Sequence, residues 1–134
     1  MPSNEVKVLL VDDDPALITL FQFYLKSRLE GKVLTAFNGA DAVALCTRES
    51  PDLIVMDLHM PVMDGLTAIR TLRRQGCTAP IVVLSSYTFK EGEECFEAGA
   101  TQVFQKPIRE KRFLEIIQQH LPAVSFASQG EWLF

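Results

Sequence analysis

Short apolar runs alternate along this chain with amphipathic stretches of helical spacing. The runs are five or six residues long and rich in Val, Leu and Ile. Runs of that kind are typical of strands that a parallel sheet buries on both faces. We predict five strands, at residues 6–11, 32–37, 52–56, 80–84 and 101–105.

Between the runs, apolar positions recur three and four residues apart, which predicts amphipathic helices. Asp14 followed by Pro15 is a helix start, a capping carboxylate before a proline at the first helical position. The apolar spacing from Leu17 to Leu29 predicts that this helix continues until Gly31. We predict four further helices, near residues 39–50, 64–76, 91–98 and 109–120, the second of these capped by Asp64.

Five strands alternating with five helices predict a doubly wound α/β fold around a five-stranded parallel sheet. Right-handed crossovers place helices on both faces of such a sheet. The loops at the carboxyl ends of its strands form the binding crevice. The residues that follow each strand are therefore the candidates for function.

Length and composition narrow the class of protein. The chain has 134 residues, 48% of them hydrophobic, which fits one compact domain and excludes a mainly disordered protein. A net charge of −4 argues against nucleic-acid binding through bulk electrostatics. Three cysteines without CxxC spacing suggest no disulfide framework and no zinc site. Neither a signal peptide nor a membrane-spanning run is visible, so we expect a cytoplasmic protein that does not bind membranes.

Charged and hydroxyl side chains follow four of the five predicted strands. Asp12 and Asp13 follow the first, Asp57 the third, Ser85 the fourth and Lys106 the fifth, whereas the second contributes nothing ionic. Neighbouring strands lie about 4.8 Å apart, so these groups can meet in one crevice. Taken singly, each has an ordinary explanation as a loop, turn or surface residue. Their common position at strand ends is what indicates a site.

Three carboxylates in one crevice repel one another unless a cation binds between them. An all-oxygen cluster of this kind suits Mg²⁺ or Mn²⁺. A metal with few protein ligands keeps positions for phosphate oxygens, and Lys106 and Ser85 can bind two more of these oxygens. Asp57 is then placed as a nucleophile that attacks phosphorus and forms an aspartyl phosphate.

The motifs together resemble the receiver domain of two-component response regulators, of the chemotaxis-regulator type. The resemblance covers residues 5–121 and includes the acidic pair, the segment MDLHMPVMDG around Asp57, Ser85 after PIVVL, and GATQVFQKP ending at Lys106-Pro107. It implies the flavodoxin-like receiver fold. We predict a receiver domain over residues 1–121, with residues 122–134 as a tail or the start of a linker. The apolar residues of that tail either fray or dock, on the domain or on a partner: Phe126, Trp132, Leu133 and Phe134.

The resemblance implies a role for each residue of the crevice. Asp57 would accept a phosphoryl group from a phosphohistidine on a sensor histidine kinase or a histidine phosphotransfer protein. Asp12, Asp13, Asp57 and the backbone carbonyl of His59 would hold Mg²⁺. The chain would thus be a switch in a phosphorelay, and an enzyme only in assisting its own phosphorylation and dephosphorylation.

Switching would involve the remaining two residues of the crevice. Ser85 would move toward the phosphoryl group and Lys106 would pair with another of its oxygens, beside a cis bond to Pro107. The surface of the fourth helix, fifth strand and fifth helix would then change and control a partner or output domain that the sequence does not identify. A homodimer that forms on phosphorylation is compatible with this, and direct nucleic-acid binding by the domain is not expected.

One position departs from the family. The aromatic residue that commonly partners the hydroxyl falls at Val103, and the adjacent Phe104 should face the other side of the strand. Tyr87 or Phe89 could substitute, or both could simply pack on a helix. His59, Ser86 and Tyr87 flank the predicted phosphoryl position and are expected to modulate it. We hypothesise that His59 affects the lifetime of the phosphoryl group without being essential.

Other functions remain open at this point. A phosphorylation-independent interaction module on the same fold would lose the acidic pair, the nucleophile or the lysine, and all are present. A Mg²⁺-dependent phosphatase or phosphotransferase would show a DxD nucleophile after the first strand and a larger cap. A flavin-binding flavodoxin would need a phosphate loop rich in Ser, Thr and Gly after that strand.

Overall fold

A computed structural model describes residues 5–122 and residue 126 of the chain. Strands and helices alternate throughout the described part. The elements are β1 Val6–Val11, α1 Pro15–Lys26, β2 Gly31–Ala36, α2 Gly39–Glu49, β3 Leu53–Met56, α3 Gly65–Arg74, β4 Ile81–Ser85, α4 Phe89–Ala98, β5 Gln102–Gln105 and α5 Glu110–His120. This order confirms the predicted alternation of strands and helices.

The five strands form one parallel sheet in the order β2-β1-β3-β4-β5. Val11, the last residue of β1, pairs with Ala36 on one side and with Met56 on the other. Ser85, the last residue of β4, pairs with Gln105. Because the strands end at matching positions, the residues that follow them share one edge of the sheet.

Two apolar clusters cover the two faces of the sheet. Side chains of β1 alternate between them: Leu10 packs with α1 and α5, and Leu9 packs with α2, α3 and α4. On the first face, the rings of Phe21 and Phe113 stack with their centroids 4.3 Å apart. Each such fully buried side chain contributes roughly 1.5–3 kcal/mol. Helices on both faces confirm the doubly wound fold.

The two helix starts predicted at Asp14 and Asp64 are confirmed by their hydrogen bonds. The Asp14 carboxylate accepts from the backbone N–H groups of Ala16 and Leu17, and Pro15 occupies the first helical position. The Asp64 carboxylate accepts from the N–H of Thr67, 2.8 Å away. Asp14 therefore acts as a cap, apart from the other two carboxylates of the DDD run.

The predicted end of the first helix was wrong. The helix ends at Lys26, and Gly31 is the first residue of β2. Leu29 still reaches the core, because its N–H donates to the Leu25 carbonyl and the turn keeps the helical spacing. A Cβ at Gly31 would overlap the Val6 carbonyl, so this glycine serves the close pairing of β1 with β2. Most other predicted strand and helix ends differ from the observed ones by one or two residues.

One residue beyond the last helix is part of the core. Phe126 forms an antiparallel bridge with Leu29 and is 6% exposed. The predicted tail residues Trp132, Leu133 and Phe134 lie outside the described part of the chain. The division at residue 121 stays a prediction. Within residues 5–122, no helix has the length and hydropathy that a bilayer crossing requires.

Candidate functional site

The carboxyl edge of the sheet brings the predicted site residues together. Strand pairing continues one residue past the strands, since the Asp57 N–H donates to the Val11 carbonyl at 2.9 Å and the Lys106 N–H donates to the Ser85 carbonyl at 3.1 Å. The Asp12 N–H likewise donates to the carbonyl of Ala36. Backbone hydrogen bonds therefore fix the positions from which the side chains of Asp12, Asp57 and Lys106 extend.

We call Asp12, Asp13, Asp57, Ser85 and Lys106 the carboxylate site. Asp12 and Asp57 are only 4% and 6% exposed, whereas Asp13 is exposed. One oxygen from each of the three carboxylates lies within 4.8 Å of the others. The Lys106 ammonium lies 2.7 Å from Asp12 Oδ2 and 3.6 Å from Asp57 Oδ1. The three carboxylates thus lie together, and the Lys106 ammonium pairs with two of them, Asp12 and Asp57.

Burial and charge perturb two titratable groups of the carboxylate site. Burial raises the pKa of Asp12 above its usual value of 3.8, and the charge of Asp57 adds to this, while hydrogen bonds from Lys106 and the Asp14 N–H oppose it. Burial alone would lower the pKa of Lys106, but its hydrogen bond to Asp12 and the charges of Asp57 and Asp12 outweigh burial and raise it. An ionised Asp12 is therefore only partly compensated by the chain itself.

The donor set fits a hard divalent cation. Two buried carboxylates and one exposed carboxylate lie close together, and one ammonium offsets part of their charge. Oxygen ligands of this type suit Mg²⁺ or Mn²⁺, which also retain waters and accept phosphate oxygens. The fit supports Asp12, Asp13 and Asp57 as metal ligands, and the His59 carbonyl stays a predicted ligand.

The hydroxyl of Ser85 is fully buried beside the residues that follow β3. Its oxygen accepts from the Leu58 N–H and its O–H donates to the Ser86 carbonyl, both at 3.3 Å. Both contacts are long, because N–H···O bonds usually span about 2.9–3.0 Å and O–H···O bonds about 2.7–2.8 Å. The hydroxyl is therefore held without a short hydrogen bond.

The His59 side chain crosses from the loop after β3 to the start of α4. Its Nε2 lies 3.0 Å from the Ser86 carbonyl oxygen and 3.5 Å from Glu91 Oε2. Glu91 also accepts from the Thr88 N–H in a capping box at the start of α4. Glu91 was not identified from the sequence as a neighbour of the site, although its place at the third helical position after Thr88 is a capping-box signature.

Gly65 is a second residue whose role the sequence did not reveal. It begins α3, and its N–H donates to the Leu58 carbonyl at 2.9 Å. A Cβ on this residue would overlap the backbone carbonyl of Asp57. Any larger residue must displace the segment that carries the Asp57 carboxylate. The glycine in MDG was the available signal.

The departure at residue 103 is visible in the packing. Val103 packs on the α2–α4 face of the sheet and Phe104 on the opposite face, as predicted. Tyr87 is half-buried on the same face as Val103, and a Cβ at Gly92 would lie 3.0 Å from its ring. Phe89 is 82% exposed. Of these two aromatic residues, Tyr87 packs on the core and lies next to Gly92 of α4, whereas Phe89 is exposed.

A groove of about 430 Å³ opens next to Lys106, between α1 and the loop after β5. It is mostly apolar and includes the half-exposed Leu20. The bond between Lys106 and Pro107 in its wall is cis, as the resemblance implied. The lining residues are Leu17, Leu20, Phe21, Ser86, Lys106, Pro107 and Ile108.

Comparison with known proteins agrees with this geometry. The family model of the response regulator receiver domain matches residues 8–118. The chain belongs to this family. It is a receiver domain of two-component signalling, as the motifs predicted.

Several relatives are longer than this chain. Protein-glutamate methylesterase/protein-glutamine glutaminase 3 of Hahella chejuensis is 38% identical over 103 residues, which cover 75% of this chain and 30% of the relative. The chain therefore spans less than a third of that protein.

Solved structures share the receiver fold. The chemotaxis protein CheY4 of Vibrio cholerae is 30% identical with a TM-score of 0.80, covering 87% of this chain and 99% of that one. The receiver domain of the sensor histidine kinase PA1611 from Pseudomonas aeruginosa is 31% identical with a TM-score of 0.77, covering 87% and 97%, and its structure has a magnesium ion in the active-site cleft.

Proposed function

We propose that Asp57 accepts a phosphoryl group from a phosphohistidine on a sensor histidine kinase or a histidine phosphotransfer protein. Asp12, Asp13, Asp57 and the His59 carbonyl would hold Mg²⁺ or Mn²⁺ during this transfer. The observation that carries the proposal is the buried Asp57 carboxylate, which shares one pocket with two further carboxylates and with the Lys106 ammonium.

Charge explains why a phosphoryl group fits here. A bound divalent cation would supply Lewis-acid neutralisation of the charge on the phosphoryl oxygens. During transfer, an oxygen of Asp57 forms a bond to phosphorus while the bond from phosphorus to the donor's histidine nitrogen breaks. Lys106 lies 3.6 Å from the Asp57 carboxylate, so its ammonium can pair with a phosphoryl oxygen without crossing the site.

Ser85 provides the second contact of the chain with the phosphoryl group. Its hydroxyl makes only two 3.3 Å contacts, so little is lost when it turns toward a charged oxygen. A hydrogen bond to an ionised acceptor is about twice as strong as one between neutral groups. Phosphorylation would therefore favour a Ser85 conformation that points into the carboxylate site.

The groove next to Lys106 is the surface that we assign to the phosphodonor protein. It is continuous with the site and exposes apolar side chains of α1, including Leu20. A phosphohistidine carried on an apolar helical surface could cover this groove while it approaches Asp57. The apolar rim and the ionic centre are complementary to a partner of that chemistry.

Output would pass through Tyr87 and α4. Val103 has no ring to fill the space that Ser85 leaves, whereas Tyr87 lies two residues after Ser85 and packs on Gly92 of α4. The Gln105 side chain donates to the Tyr87 carbonyl at 2.9 Å and links this loop to β5. A change at Ser85 would thus bias the α4, β5 and α5 surface, which controls a partner or an output domain.

The chain is proposed to act as a switch and to catalyse only its own phosphorylation and dephosphorylation. His59 and Ser86 would modulate phosphoryl lifetime, because the His59 ring and the Ser86 carbonyl meet at 3.0 Å beside the pocket.

Phosphorylation can be tested with a small phosphodonor such as acetyl phosphate in the presence of Mg²⁺, read by intact mass spectrometry. We expect one added phosphoryl group per chain, none in Asp57→Asn, and none when the metal is chelated. Asp64→Asn is the matched control, because it removes an exposed capping carboxylate outside the carboxylate site. An adduct that persists in Asp57→Asn would overturn the assignment of the nucleophile.

A further inference from the structure

Two of the three cysteines of the chain, Cys46 and Cys77, line a surface groove that contains no residue of the carboxylate site. The groove has a volume of about 500 Å³ and lies between the last turns of α2 and α3. Cys46 is in the last turn of α2 and is 8% exposed, and Cys77 is half-buried just after α3. The structure shows both as free thiols. The phosphorylation chemistry uses neither.

Both cysteines are held in place by their backbones. The Cys46 carbonyl accepts from the N–H of Ser50, the cap of α2. The Cys77 N–H donates to the Leu72 carbonyl and its carbonyl accepts from Arg73 Nη1, both at 3.0 Å. Both thiols that line the groove are therefore carried by hydrogen-bonded backbone, which lowers the ordering cost of binding a ligand between them.

The electrostatics of the groove favour a bound cation over two bare thiolates. Burial raises the pKa of Cys46 to about 12, and the nearby Cys77 thiol adds to this. The carbonyl ends of two helices also face this part of the molecule, which disfavours anionic sulfur. A cation between the sulfurs removes their repulsion, and the Arg73 guanidinium, which binds the Cys77 carbonyl, can offset the remaining negative charge.

Sulfur ligands select soft metals, and two sulfurs without a third ligand suit a monovalent ion such as Cu(I). Within the described residues, the one group of three or more metal-binding side chains is formed by Asp12, Asp13 and Asp57, whose donors are all oxygens. Hard and soft donors are therefore separated in this chain, in different parts of the fold.

We propose that Cys46 and Cys77 form a binding site for a thiophilic monovalent metal ion of the Cu(I) class. Two sulfur–hydrogen bonds are replaced by two sulfur–metal bonds, two protons are released, and no group is oxidised or reduced. The site is independent of the proposed phosphorylation of Asp57.

The test is an anaerobic titration of the reduced protein with Cu(I) against a chromophoric Cu(I) chelator. We expect wild-type protein to withhold one equivalent of Cu(I) from the chelator. Cys46→Ala and Cys77→Ala should each weaken binding by about a hundredfold or more, since the loss even of an outer-shell partner costs 10–100-fold. Cys95→Ala is the matched control and should bind as tightly as wild type, because Cys95 is a fully buried thiol on α4 that does not line the groove.

Folding and chemistry are separated by a second readout. Cys77→Ala changes a half-buried position, and circular dichroism checks that each variant is folded. Cu(I) should also protect Cys77 of the wild-type protein from alkylation by iodoacetamide, located by peptide mass mapping. The proposal is overturned if Cys77→Ala retains wild-type affinity, if Cys95→Ala loses affinity equally, or if the pair closes to a disulfide and no copper is bound.

Discussion

The two ends of the sheet carry opposite kinds of charge cluster. At the carboxyl end, three carboxylates lie together, two of them are buried, and Lys106 pairs with those two. At the amino end, Glu49 is surrounded by Lys7, Lys32 and Arg48, with nitrogen–oxygen distances of 3.2–3.8 Å. We call these four residues the Glu49 cluster. The carboxyl end has an excess of negative charge, whereas at the amino end three cationic side chains surround one carboxylate.

The pKa shifts have opposite directions at the two ends. Burial raises the pKa of Asp12, whereas the hydrogen bond from Lys7 and the charge of Lys32 lower that of Glu49. The Glu49 cluster is partly exposed and its carboxylate is compensated, so it is an ion-pair network of small energetic value. A buried and undercompensated cluster is costly without a ligand. Buried charge that the chain does not neutralise, rather than a high density of charges, therefore distinguishes the end that contains the candidate site.

A substitution at Gly65 should reduce phosphorylation most, because it displaces the backbone of Asp57. Gly65→Ala places a methyl group on the Asp57 carbonyl and should slow phosphorylation from a small donor by about 100-fold, the typical cost of a misplacement near 1 Å. Gly31→Ala is the control, because its methyl group would overlap the Val6 carbonyl near the Glu49 cluster. It should lower stability and leave the rate per folded molecule unchanged. Equal slowing in both variants would contradict the assigned role of Gly65.

Metal binding should stabilise the protein through the carboxylate site and not through the Glu49 cluster. At about 100 times its dissociation constant, Mg²⁺ should raise the free energy of unfolding of the wild-type protein by about 2.7 kcal/mol. The gain should be largely lost in Asp57→Asn and retained in Glu49→Gln. Urea unfolding with and without MgCl₂, at constant ionic strength, measures this. Equal stabilisation of all three proteins would show that the ion acts by general screening.

The route from the carboxylate site to α4 can be broken at Tyr87. Tyr87→Ala should reduce the change in hydrogen exchange of α4 that phosphorylation produces, because the ring that contacts Gly92 is removed. Phe89→Ala is the control, since this ring is 82% exposed and should be dispensable. Mass spectrometry confirms that both variants are phosphorylated to the same extent. An unchanged α4 response in Tyr87→Ala would show that another residue transmits the signal.

His59 should have a smaller effect on phosphoryl lifetime. His59→Ala removes the ring that joins the loop after β3 to Ser86 and Glu91, so the rate of phosphoryl loss should change severalfold. His120→Ala is the matched control, because His120 contacts Gln102 on β5 instead. Decay of the phosphorylated protein is followed by intact mass. A rate equal to that of the wild-type protein would disprove the modulating role.

The smallest effect is a pair of opposite pH dependences. Asp12 has a raised native pKa, so its charge costs stability at neutral pH, and the cost disappears as the pH falls through that pKa. Glu49 has a lowered pKa, so its charge stabilises the fold above its usual value of 4.5, and this is lost as the pH falls through the native pKa.

Without metal at pH 7, Asp12→Asn should therefore raise the melting temperature by a few degrees, the shift that about 1 kcal/mol gives in such a domain. Glu49→Gln should lower the melting temperature slightly. Both differences should shrink in acid, as measured by melting curves in EDTA from about pH 3 to pH 8. The same sign for both variants would remove the contrast between the two clusters.

Much of the fold was predictable because one physical signal dominates it. Strands buried on both faces must be apolar along their whole length, so β1, β3 and β4 are visible as continuous runs. The helix starts at Asp14 and Asp64 follow from local hydrogen bonds that a sequence displays directly. The end of α1 was missed because Leu29 keeps the helical spacing through a turn, and periodicity does not distinguish the two.

The sequence was sufficient to predict which residues gather in the carboxylate site, but not which neighbouring residues hold them in place. Asp12, Asp57 and Lys106 could be placed because each directly follows a strand of one parallel sheet. The contact of Gly65 with the Asp57 backbone and the approach of Glu91 to His59 join segments that only the folded chain brings together. Arg73, which binds the carbonyls of Cys77, Ala79 and Gly99, is a similar case.

The bridge between Phe126 and Leu29 has a mechanical consequence. Beyond α5, the buried ring of Phe126 is anchored beside Leu29, in the turn before β2 at the amino end of the sheet. A pulling force on the segment after residue 126 would first load this anchor and the turn before β2, at the end of the sheet remote from Asp57. The carboxylate site is in this way shielded from tension on the tail, and communication between the two must travel through the length of the sheet.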